Sequence, residues 1–64
     1  MANIEIRFNC ASESGDFLNV IEDNGEIIIT FRNKEKFIGD VIFDKSTAIK
    51  FAKTLRTEIN KIQE

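Results

Sequence analysis

Residues 17–32 read Phe17-Leu18-Asn19-Val20-Ile21-Glu22-Asp23-Asn24-Gly25-Glu26-Ile27-Ile28-Ile29-Thr30-Phe31-Arg32, and this stretch decides the fold. Asn-Gly between two apolar-rich runs is the strongest short hairpin signal, because a type I′ turn needs positive φ at both central residues. A two-residue turn also fixes the pairing, setting Val20 opposite Ile29 and Leu18 opposite Phe31. One face of the hairpin then holds Leu18, Val20, Ile27, Ile29 and Phe31, all apolar. The other holds Phe17, Asn19, Ile21, Ile28, Thr30 and Arg32. The uniformly apolar face is the expected core.

Upstream, Asn3-Ile4-Glu5-Ile6-Arg7-Phe8 alternates polar and apolar, the period of a half-buried strand with Ile4, Ile6 and Phe8 inward. The segment Asn9 to Asp16 is rich in small and turn-forming residues and reads as a loop. Downstream, a second hairpin turns around Asn33-Lys34-Glu35 into a strand over Lys36 to Phe43. A loop with an even number of residues would aim Asp40 into the core, where an unpaired carboxylate is costly. An odd loop is therefore expected, with Phe37, Gly39, Val41 and Phe43 inward and Ile38, Asp40 and Ile42 outward.

From Asp44 the period becomes helical, with Ala48, Phe51, Ala52, Leu55, Ile59 and Ile62 along one stripe. Asp44 is the expected N-cap, accepting from amides near Ser46 or Thr47. The reading is α+β: one domain over residues 1–64, a four-stranded antiparallel meander with one C-terminal helix packed on one face. The strands fall at about 3–8, 17–23, 26–32 and 36–43 and the helix at about 45–62.

The chain has 64 residues with 42% apolar and 31% charged side chains, no proline and one cysteine, which excludes disordered and low-complexity classes. So short a chain buries only about 60% of its unfolded surface. Cys10 has no disulfide partner, and without histidine or clustered cysteines no zinc site is expected, so oligomerisation is the remaining usual support.

The absence of histidine also removes Ser-His and Cys-His catalysis, and no catalytic residue, metal site or cofactor is expected. Ser12 and Ser14 beside Glu13 and Asp16 resemble a turn cluster. Glu22, Asp23 and Glu26 bracket the Asn-Gly turn without the spacing of a calcium loop.

A net charge of −2 argues against nucleic acid as the main partner. Charge is uneven: residues 1–43 hold four basic and eight acidic side chains, residues 44–64 five basic and three acidic. No signal peptide or membrane span is read, and one unpaired cysteine fits a reducing, cytoplasmic address.

The outward face needs explaining. With a helix on one side only, the other side should be polar. Phe17, Ile21, Ile28, Ile38 and Ile42 instead point outward, an apolar patch on the order of several hundred Å². Scattered surface apolars would be the bland account. Self-association through these five residues is the sharper expectation, with a foreign protein or ligand as the further choice. Arg7, Asn19, Thr30, Arg32 and Asp40 lie among them, and a few fixed polar groups in an apolar surround suit a small anionic ligand.

Two resemblances add expectations. Four strands followed by a helix, with Val41-Ile42-Phe43 leading into the cap at Asp44, resembles the single-stranded-DNA-binding coactivator fold, which implies dimers that bind single strands on their sheets. The strands here are net acidic and lack Tyr and Trp, leaving Phe17 as the outward aromatic for base stacking. The chain is also similar to short ββββα proteins of phages and mobile elements of AT-rich bacteria, through its composition, its Glu22-Asp23-Asn24-Gly25-Glu26 hairpin and its terminal amphipathic helix. That resemblance implies counter-defence by stoichiometric binding: a homo-oligomer that sequesters a nucleotide-like ligand or blocks a host defence factor. The alternatives are an inhibitor docking directly on a host protein, or single-stranded nucleic-acid binding.

Overall fold

A computed structural model describes residues 6–12, 14–34 and 36–63. Four antiparallel strands, β1 (Ile6–Asn9), β2 (Asp16–Asp23), β3 (Glu26–Asn33) and β4 (Lys36–Phe43), form one sheet in the order β1-β2-β3-β4. Helix α1 (Lys45–Ile59) follows. The ββββα meander is as the periodicities indicate; residues 3–5 of the expected first strand, including Ile4, lie outside the described residues. The helix ends three residues earlier than the stripe through Ile62 suggested.

The first hairpin has the expected register, with Val20 opposite Ile29 and Leu18 opposite Phe31. Its turn residues take φ of 53° at Asn24 and 82° at Gly25. The Glu22 carboxylate also accepts from the Gly25 amide at 2.9 Å, closing the turn from below. An alanine at Gly25 would meet no neighbour, so its cost is backbone strain alone. Gly25→Ala is expected to lower stability by about 1 kcal/mol, read as a lower urea midpoint at unchanged slope.

The second hairpin departs from the parity argument. Pairing closes at Asn33–Lys36, which leaves two residues between the strands, and Lys34 adopts φ 56°. An irregularity between Phe31 and Arg32 then shifts the register, so that Phe37 faces Arg32 while Gly39 faces Phe31. Ile38 is the extra residue of a β-bulge. The even loop and the bulge together keep Asp40 opposite Thr30, on the solvent face as expected. They also move Phe37 to the Arg32 face, correcting its inward placement.

Directly paired residues share a face. On the helix side, Ile6, Val20, Ile29 and Val41 form the middle row, with Phe8, Leu18, Phe31 and Gly39 on one flank and Ile27 and Phe43 on the other. Ile29, only 6% exposed, is the buried apolar centre of the described residues.

The helix starts as expected. Asp44 is its N-cap, taking the Thr47 amide at 2.9 Å and the Ser46 hydroxyl at 3.4 Å. Its first turns reach the Ile27–Phe43 row, where the Phe51 ring sits 5.4 Å from that of Phe43 and Ala48 and Ala52 border a hollow with Ile27. It approaches β3 and β4 only, and no residue of the helix is buried. The helix thus lies on one face of the sheet as expected, and it covers one end of that face.

Candidate functional site

The outer face is ordered by the strand register. Arg7 pairs with Asn19, Asn19 with Thr30, and Thr30 with Asp40, so four of the five polar residues singled out from sequence form one row across all four strands. Three strand spacings separate its ends, about 14 Å. The next row is Asn9, Phe17, Arg32 and Phe37, which sets the fifth residue, Arg32, beside the polar row. On the other side lies an apolar row of Ile21, Ile28 and Ile42.

Packing within this face is uneven. Asn19, on the central strand β2, is 6% exposed. Arg7 lies diagonally over Phe17, its guanidinium carbon 3.9 Å from the ring centroid, a cation–π contact. Arg32 is the β3 partner of Phe17 in the register, so two arginines neighbour one aromatic residue. Among the described residues the only ion pair is Lys61–Glu58 at the C-terminal end of the helix, so neither arginine nor Asp40 is neutralised by a described partner. Arginine in an aromatic surround suits a planar or anionic group through bidentate hydrogen bonds and stacking.

The five residues expected to mediate self-association do not act as one set. Phe17, Ile21 and Ile28 are half-buried within the sheet, and Ile42 is exposed on the β4 edge. Ile38 is placed elsewhere: the bulge brings it to a hollow of about 480 Å³ lined also by Phe8, Leu18 and Phe31, on the helix side. The parity rule missed it because a bulge changes the residue count without leaving a mark in the hydrophobic pattern.

The loop before β2 is a hydrogen-bonded turn cluster. The Ser14 hydroxyl donates to Asp16 at 3.0 Å, and the Asn33 amide donates to the same carboxylate and to the Ser14 carbonyl. Hydrogen bonds from Asn33 and then Ser14 hold the Asp16 carboxyl below the ordinary aspartate value of 3.8. Thr47, through its side chain and amide, does the same for Asp44. Cys10 is exposed, and hydrogen bonds from the Ser12 side chain and backbone lower its thiol pKa. No group of three or more metal-ligating side chains occurs among the described residues, and none of their helices is long and apolar enough to cross a membrane.

The two depressed carboxyls set an acid limit. A carboxylate stabilised in the folded state contributes stability above its unfolded pKa and loses it as pH falls through the folded value. Urea midpoints are therefore expected to be level from neutral pH down to about 4 and to decline below the ordinary value of 3.8. Asp44→Asn, which keeps a capping side chain without the titration, should flatten part of that decline.

Comparison with known proteins returns no relative. No protein-family model matches the chain, and neither the curated proteins nor the solved structures contain a significant match.

Proposed function

We propose that this protein is a non-enzymatic binding module, acting as a homo-oligomer, whose outer sheet face takes a small anionic, nucleotide-like ligand. The observation that carries the reading is the register that sets Arg7, Asn19, Thr30 and Asp40 in one row with Arg32 beside it. Arg32 supplies a bidentate donor for a phosphate, and the neighbouring Phe37, exposed on the β4 side, offers a stacking surface for a base. Asp40 accepts from exocyclic amino groups at the far end of the row. In a phage-type setting such a module works by stoichiometry, holding a signal or a host factor away from its target.

Isothermal titration with a panel of mono-, di- and cyclic nucleotides tests this reading. One class is expected to bind saturably and to raise the melting temperature, since a ligand of the folded state alone stabilises it. No heat and no thermal shift at millimolar nucleotide would refute it. A flat, open sheet face is also the surface a single strand would use, so an oligonucleotide belongs in the same panel. Binding that is seen only with the oligonucleotide and weakens steeply with salt would move the assignment to nucleic acid.

A further inference from the structure

The apolar surface of this chain is distributed in a way the outer face does not explain. The accessible area is 5733 Å², whereas a compact monomer of this length exposes about 4,200 Å². The Cα radius of gyration is 13.3 Å, against about 10.7 Å for a compact 64-residue domain. The difference in area, about 1,500 Å² per chain, exceeds the about 800 Å² that each partner gives to a standard interface and reaches the obligate homodimer range.

Most of the exposed large apolar side chains lie on two surfaces. The first is the helix beyond its second turn: Leu55 is 49% exposed and Ile59 53%, with Ile62 just past the helix end more exposed still. The second is the helix-side face of the sheet away from the Ile27–Phe43 row, where Phe8, 53% exposed, joins Phe31 and Ile38 around the hollow next to β1 and β2. The protomer's own helix approaches neither of those strands. One surface is a ridge and the other a hollow, and both belong to the same chain.

We propose that two copies of this chain form a dimer in which the distal half of each helix, through Leu55 and Ile59, lies in the hollow lined by Phe8, Leu18, Phe31 and Ile38 of the other copy's sheet. A two-fold axis closes both contacts at once and leaves neither ridge nor hollow open, as an isologous interface requires. Charge favours the same exchange. The segment from residue 44 onward has net charge +2 and the strand segment −4, with Arg56 beside Leu55 and Ile59 on the helix; the border of the hollow itself carries one side chain of each sign, Asp16 and Arg32, so the match is between segments. The inference takes up the oligomer of the proposed function and moves its interface to the helix side. The outer row of Arg7, Asn19, Thr30 and Asp40 stays free for a ligand, while Arg32 stands between that row and the border of the hollow.

Two measurements test it. In a Cys10→Ser background, chains carrying Ile38→Cys and Ile59→Cys are mixed and treated with a short bis-maleimide. A cross-linked species containing one of each chain is expected, whereas chains with Ile42→Cys and Ile59→Cys should give none. Separately, native mass spectrometry should give twice the chain mass for the unmodified protein and the single chain mass for Ile59→Asp. The dimer dissociation constant should rise at least a hundredfold with the circular dichroism of the sheet retained. A monomer at high micromolar concentration would overturn the proposal, and so would a dimer that cross-links through Ile42 but not Ile38. Nucleotide titration of the same Ile59→Asp chain keeps the two readings apart, because the outer face needs no helix from a partner.

Discussion

Ile29→Ala is expected to remove most of the stability of the chain. Ile29 sits on a central strand between Val20 and Val41, in the middle row of the helix-side face, and is the buried apolar centre of the described residues. Truncating a buried isoleucine costs about 2–5 kcal/mol, from lost transfer energy and the cavity left behind. A single core in a chain of this size supplies about 3–5 kcal/mol in all. The variant should therefore unfold at low urea, or be largely unfolded in buffer, while Ile42→Ala on the exposed β4 edge should cost under about 1 kcal/mol. A loss below about 1 kcal/mol for Ile29→Ala would place the energetic centre between subunits instead of within the sheet, and the midpoint would then depend on protein concentration.

Arg32→Ala is expected to weaken nucleotide binding by about 10- to 100-fold, the loss of hydrogen bonds to a charged group worth about 1.5–3 kcal/mol. Arg32 is the better site for this test than Arg7, whose guanidinium already lies over the Phe17 ring. Arg32→Lys keeps the charge and loses the planar fork, so a bidentate phosphate contact predicts recovery of only part of the affinity. Calorimetric titration reads all three proteins. Equal affinity across the series would remove Arg32, and the anion-binding end of the row, from the site.

The polar row and the loop cluster differ in how far the sequence exposes them. Arg7, Asn19, Thr30 and Arg32 could be assigned to one face from alternation along their own strands, whereas Asp40, beyond the bulge in β4, was placed there by the cost of burying its carboxylate. Their alignment into a row needed the offset between β1 and β2, which are joined by a loop whose length does not dictate pairing. The Asp16–Asn33 contact links residues far apart in the chain, but it is a cross-strand pair of β2 and β3 set by the Asn24-Gly25 register.

Turn chemistry and periodicity determined the four strands, the Asn24-Gly25 register, the Asp44 cap and the separation of the two sheet faces. Each is a short-range property: positive φ favours Asn-Gly, alternation follows the pleat, and a capping carboxylate meets an amide three residues away. The tertiary structure alone decided the bulge at Ile38 and the extent of the sheet that the helix covers. Hydrophobic pattern requires Leu55, Ile59 and Phe8 to find apolar partners, but says nothing of which chain provides them. Where the helix leaves the sheet is set by the direction in which β4 ends, the packing of Phe43 on Phe51 and the reach of the first two turns. These are properties of the assembled sheet, and they leave a ridge and a hollow that one copy does not close.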